Sequence, residues 1–197
     1  MRSKAGIVCM VTGAVLILSA LFLIFCSIEE NEQAGKSRDR VLQQMEKEIE
    51  NKNIWNDTTG DLAEKVKNIE IDGNYYIGYL SLPVLGLELP VMKEWDYERL
   101  KIAPCRQCGT SQDDNLVIAG HNYENHFGKL SLLKNGDQVW FTDVNGSVNT
   151  YAVGAVEILN PDQVDEMKNS EWDLTLYTCT PSGSQRLTIR CERCEVE

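Results

Sequence analysis

The sequence predicts an all-β domain, closed or nearly closed into a barrel, carried behind one N-terminal membrane-spanning helix. Three observations predict it. A long uncharged apolar run stands near the start of the chain. From Tyr75 onward the pattern changes to short runs of apolar and β-branched residues. Turn residues punctuate those runs at regular spacing.

The 197 residues fit one globular domain with accessory segments. A net charge of -11 excludes a nucleic-acid footprint, which needs a basic face.

Between Ala5 and Ile28 no residue is charged. As a helix rising about 1.5 Å per residue this run spans roughly 36 Å, enough to cross a hydrocarbon core of about 30 Å. Arg2 and Lys4 precede it, and Glu29 and Glu30 follow. The positive-inside tendency therefore puts the N-terminus in the cytoplasm and the remainder outside the cell membrane, a single-pass arrangement. A cleaved signal peptide fits less well, because the run is long and no small-x-small cleavage site follows. A lipoprotein site at Cys26 is disfavoured by Phe25 before it.

Residues 29–72 read as a polar, partly helical juxtamembrane stalk. Val41, Met45 and Ile49 recur at four-residue spacing, which predicts a helix around Gln33 to Asn51. Its apolar stripe is narrow, so the expectation is a solvated stalk. Residues 73–197 form the predicted β-barrel domain, and residues 1–28 the cytoplasmic tip and anchor.

Within the domain, strands are predicted over Tyr76 to Leu82 and Leu87 to Met92, with Pro83 and Gly86 between them. Asn115 to Ala119 is an apolar run ending at Gly120-His121. Gln138 to Thr142 and Asn149 to Leu159 flank Asn145-Gly146, a strong hairpin signal. Leu174 to Thr178 and Arg186 to Cys191 complete the set. Only Gln163 to Asn169 reads as a short helix.

Cysteines fall at 9, 26, 105, 108, 179, 191 and 194. Cys179 stands apart, at the end of the run Leu174-Thr175-Leu176-Tyr177-Thr178. A nucleophile at a strand tip is rigidly held and still reaches solvent. A thiol in such a place is also an ordinary small hydrophobe unless a base or cation stands by. His121, at the end of another apolar run, supplies the base if the two strands are parallel neighbours. His126 sits in a polar loop and reads as a surface residue. Arg186 opens the strand returning from the Cys179 turn, which brings it back beside the thiol. Arg190 lies on the same face about 13 Å further along, and Arg193 is too far.

These residues together resemble the sortases. The resemblance rests on Thr175-Leu176-Tyr177-Thr178-Cys179, like the family's TLxTC strand. It rests also on Ile118-Ala119-Gly120-His121 followed by Phe127-Gly128-Lys129-Leu130, and on Arg186-Leu187-Thr188-Ile189-Arg190. Ile77 to Pro83 and Leu89 to Val91 look like the family's first two strands. The match covers about Tyr75 to Arg190.

The resemblance implies an eight-stranded β-barrel and a cysteine transpeptidase of Gram-positive bacteria. Cys179 would be the nucleophile, His121 the general acid/base and Arg186 the oxyanion-stabilising cation, with Thr178 lining the substrate groove. The substrates would be surface proteins bearing an LPxTG-like signal, the acceptor an amine of a peptidoglycan precursor or a pilin lysine. No cofactor is implied. No second hydrophobic anchor follows Arg190, which favours an anchoring role over pilin polymerisation. An extracytoplasmic cysteine hydrolase and a membrane-tethered, non-catalytic binding domain are the alternatives.

The implied topology also puts Cys105 and Cys108 next to Cys191 and Cys194, at the rim opposite the thiol nucleophile. Four such thiols would form one or two disulfides, or a structural zinc tetrathiolate. A redox C-x-x-C is disfavoured, since no βαβ pattern surrounds either pair.

Overall fold

The computed structural model describes residues 4–59, 68–168 and 171–194. Asn169, the predicted end of the short helix, lies outside them, as do Arg2 and the stretch 60–67 of the predicted stalk.

One long helix, α1 (Lys4–Thr59), begins the described chain. Contacts divide the molecule into two units, residues 1–33 and 34–197. In the first unit α1 carries a stretch apolar and long enough to cross a membrane, with its side chains exposed.

The second unit is built on β-strands: β1 (Ile69–Ile71), β2 (Asn74–Leu82), β3 (Leu87–Met92), β4 (Cys105–Cys108), β5 (Leu116–Ala119), β6 (Gln138–Asp143), β7 (Val148–Leu159), β8 (Leu174–Cys179) and β9 (Arg186–Arg193). Two short helices join them, α2 (Tyr97–Leu100) and α3 (Val164–Lys168). Hydrogen bonding runs β1-β2-β3-β4-β5-β8-β9-β7-β6, and β2 also pairs with β6. That last pairing closes an eight-stranded barrel from β2 round to β6, and β1 extends β2 outside it. Closure requires Gly78. A Cβ there would stand 2.1 Å from the Thr142 carbonyl oxygen, at φ +153°.

The barrel interior holds Leu80, Leu82, Leu89, Leu116, Ile118, Phe127, Phe141, Tyr151, Leu174, Leu176 and Ile189, all essentially sealed from solvent. These inward residues alternate with outward ones along each strand, as the pleat requires.

Three expectations are corrected here. The stripe Val41, Met45 and Ile49 is buried, in a cluster with Ile69, Ile71, Tyr76, Met92, Ala103 and Val144. The second part of α1 is therefore packed on the barrel, where burial of each such side chain contributes roughly 1.5–3 kcal/mol. A second helix, α2, is present where none was predicted. It is a single turn, nucleated by the Asp96 side chain accepting from the Glu98 and Arg99 amides. Strand β4 was also not predicted, because Cys105-Arg106-Gln107-Cys108 offers neither an apolar run nor alternation.

Candidate active site

Two strands bring the predicted residues together. β5 and β8 are parallel neighbours, with Ala119 beside Tyr177. The Gly120 amide donates to the Tyr177 carbonyl at 3.0 Å, so the pairing continues one step past β5. His121 thus leaves β5 at the level where Cys179 ends β8. Glycine is needed at 120, since a Cβ there would stand 2.3 Å from the Phe127 ring. The loop then folds back on itself. The Phe127 amide donates to the His121 carbonyl at 3.1 Å, and the His126 and Gly128 amides both donate to the Tyr123 carbonyl.

β8 and β9 are antiparallel, and Cys179 faces Arg186 directly across the ladder. Opposed residues share a face, with Cβ atoms about 4.5–5.5 Å apart. That face is the outer one. Leu174 and Leu176 point into the barrel, whereas Thr175 accepts from Arg190 and Tyr177 packs outside with Val117, Leu159 and Met167. Cys179 is half-buried. The Arg186 guanidinium donates to the Gly183 and Gln185 carbonyls at 3.3 and 3.1 Å, which tethers it to the β8–β9 turn.

Arg190 is 3% exposed and already engaged. It pairs with Glu157 at 3.1 Å and donates to Thr175 and to the carbonyls of Glu166 and Met167. It secures α3 over the outer face. Arg193 is bound to Asp114, Asn149 and Ser111, at the far end of the barrel.

The His121 imidazole lies among aromatic rings. Tyr123 stacks on it with centroids 4.5 Å apart and planes 8° from parallel. Tyr97 of α2 presents an edge at 5.9 Å. His126, expected at the surface, is instead fully buried, its ring 5.5 Å from that of Tyr123. Neither of its ring nitrogens has a hydrogen-bond partner among the described residues. Burial, and then the charge of His121, push its pKa down to about 4, against the opposing pull of the Ile102 backbone. Burial pushes the Tyr177 hydroxyl up to about 12, opposed by the Arg186 charge.

Thr178 is 2% exposed, on the inward side with Leu174 and Leu176, and its hydroxyl lacks a partner among the described residues. It lies beneath the outer face and is not an exposed wall of a groove. Sequence reasoning missed Tyr97 and Tyr123. An aromatic two residues after His121 was a visible signal for the second. Nothing local signals Tyr97, which the β3–β4 connection carries across.

The four paired cysteines do not assemble. β4 runs antiparallel beside β5, so Cys105 sits opposite Ala119, at the His121 end. Cys191 pairs with Leu174 at the start of β8 and points into the barrel. Cys105 instead lies under α1, donating to the Ala103 carbonyl at 3.4 Å. All the described cysteines are free thiols, and no metal-holding cluster of three or more His, Cys, Asp or Glu occurs among the described residues. Burial pushes the thiols of Cys105 and Cys191 up to about 12. The expectation that all four thiols are neighbours at one rim is corrected accordingly. The error arose from placing Cys105 before β5 in space because it precedes β5 in sequence.

A cavity of about 620 Å³ opens at the other end of the barrel, over Leu116, Phe141 and Asp143. It contains neither the Cys179 thiol nor the His121 imidazole.

The family model of the sortase domain matches residues 80–194. Sortase A of Bacillus anthracis is 34% identical over 125 residues, 60% of this chain and 59% of that protein. The chain thus matches less than two thirds of that relative's length. Sortase A of Staphylococcus aureus (strain NCTC 8325 / PS 47) is 28% identical over 182 residues, 86% of this chain and 84% of that protein. Among solved structures, Clostridium perfringens sortase C with the C-terminal cell wall sorting motif superposes with a TM-score of 0.56 at 24% identity, covering 88% of this chain and 100% of that one. Sortase A of Corynebacterium diphtheriae gives 0.56 at 19% identity, covering 91% and 97%. These likenesses show a shared fold.

Proposed function

This chain belongs to the sortase family, and we propose that it is a membrane-anchored cysteine transpeptidase acting on proteins that bear an LPxTG-like sorting signal. What supports the reading is that Cys179 and Arg186 face each other across the β8–β9 ladder and that His121 leaves β5 at the same barrel end.

The signal peptide lies extended at that barrel end, beside Cys179 and Arg186. The Cys179 sulfur attacks the carbonyl carbon of the Thr-Gly bond as thiolate, forming a tetrahedral oxyanion. The Arg186 guanidinium stabilises that developing charge. The C–N bond breaks as His121, in its protonated form, gives a proton to the departing glycine amine. A thioester to Cys179 remains. An incoming amine, from a peptidoglycan precursor or a pilin lysine, then attacks. His121 accepts its proton, and the thiolate leaves. Protons and electrons balance over the two halves without a cofactor.

The uncharged run of α1 holds the enzyme in the membrane, N-terminus inside, so that the catalytic unit meets substrates on the outer face. The test is incubation of the full chain with a panel of LPxTG-like peptides, with and without a supplied amine, read by mass spectrometry. An acyl adduct on Cys179 and an amine-dependent ligated product are expected. Adduct formation followed only by hydrolysis would make the protein a cysteine hydrolase. Absence of any adduct on Cys179 would overturn the reading.

A further inference from the structure

The fixed point of the site is the thiol, at the end of a rigid strand. The imidazole is not so placed, because His121 lies beyond β5 in a loop. Its orientation must come from what surrounds its ring.

We propose that Tyr123 is the residue that positions the His121 imidazole, its ring laid flat on the imidazole and in contact with the buried ring of His126. Aromatic pairs normally favour offset or edge-on geometry at centroid separations of about 4.5–7 Å. A near-parallel stack at 4.5 Å with planes 8° apart fixes the imidazole plane and leaves its nitrogens directed along that plane. The Tyr123 backbone is held in place, because its carbonyl receives the His126 and Gly128 amides. A Cβ on Gly128 would stand 2.7 Å from that carbonyl oxygen, so the turn closes tightly on it. Against it His126 is fully buried, and the Ile102 backbone is the polar group that acts on its ring. A histidine so placed serves as an uncharged ring that fills space. Its depressed pKa agrees with that use.

The charged and titratable groups around this ladder include Cys179 and Arg186 at the same barrel end, Glu98 paired with Lys101, and groups from three further elements. α2 supplies Tyr97 with Lys101 over its ring, α1 supplies Arg38, and the loop itself supplies the Glu124–Lys129 pair. None of them lies between the His121 and Tyr123 rings, so the effect of removing the Tyr123 ring is separable from theirs.

The inference rests on His121 as the acid/base group, but its test does not. The chain has two histidines, so imidazole NMR titration of the full protein in micelles resolves both. A face-on aromatic ring stabilises imidazolium. Tyr123→Leu is therefore expected to lower the His121 pKa by about half a unit, and Tyr123→Phe to leave it in place. With sorting peptides, Tyr123→Leu should lose kcat by about ten-fold with KM nearly unchanged, and Tyr123→Phe should retain both. Equal His121 titration in the Leu and Phe variants overturns the proposal. Should Tyr123→Leu fail to fold, the unsubstituted protein still decides. Its His121 ring protons must show an upfield ring-current displacement, and their absence overturns the stack. If no peptide reacts with the unsubstituted protein, the transpeptidase reading fails while the titration result stands by itself.

Discussion

Cys179 and Arg186 are direct partners across the β8–β9 ladder, the last pair before the chain turns. Their relative position is therefore set by backbone hydrogen bonds and needs no side-chain network. Arg190, on the same face, is committed to Glu157, Thr175 and the α3 carbonyls. The two arginines should separate cleanly into chemistry and stability.

Arg186→Ala is expected to lower turnover about 10²–10³-fold with little change in melting temperature. Arg186→Lys should be nearly as impaired, since an ammonium lacks the planar fork. Cys179→Ala and His121→Ala should each abolish turnover, and Cys179→Ala should also abolish the acyl adduct. Peptide ligation kinetics and mass spectrometry check all four.

Arg190→Ala is expected to do the opposite. It removes a buried cation from two carbonyls, a hydroxyl and a carboxylate, at a cost of about 2–3 kcal/mol. Denaturant unfolding measures that loss. Glu157→Gln should cost less, because the Glu157 side chain is 42% exposed.

Stability should fall with acid through His126. A group held at about 4 when folded and near 6.5 when unfolded binds protons more readily unfolded. Its contribution is complete above about pH 6.5 and is lost as pH falls toward 4, by about 3 kcal/mol. His126→Phe should flatten the decline over that window. Unfolding free energies of both proteins at pH 4, 5.5 and 7 give the comparison.

Met45→Ala is expected to destabilise the barrel-bearing unit by about 2–4 kcal/mol, because Met45 is wholly buried against it. A solvated stalk would show no change. Thermal unfolding followed by near-ultraviolet circular dichroism distinguishes the two.

Thiol labelling should sort the cysteines by burial. Cys105 and Cys191 are sealed and held far from ionisation, so they should resist a maleimide in the native protein and react in denaturant. Equal reactivity before and after reduction would agree with free thiols. Purified protein should carry no stoichiometric zinc.

Much of this was legible in the sequence because it lies on single strands. The apolar runs gave β2, β3 and β5 to β9, and the ends of two of them carried His121 and Cys179. What failed depended on contacts between distant segments. The stripe Val41, Met45, Ile49 looked too narrow to be buried, because its partners, such as Ile71 and Val144, belong to other elements. His126 looked polar and exposed because sequence shows its neighbours Glu124 and Asn125 but not the fold of the loop beneath them. Thr178 was assigned to the groove by its place next to Cys179, yet adjacent strand residues point to opposite sides. The C-x-x-C pairs were brought together by the topology that the resemblance implies, and the antiparallel entry of β4 separates Cys105 from Cys191.

The parallel pairing of β5 with β8 has a consequence for biosynthesis. An antiparallel hairpin can form as soon as its second arm is made, but two parallel strands must wait for the long intervening chain. His121 and Cys179 therefore reach the same barrel end only after β6 and β7 have been synthesised. A polypeptide still being made carries a sulfur with no partner and can acylate nothing. Competence arrives late, as a property of the finished wall of strands.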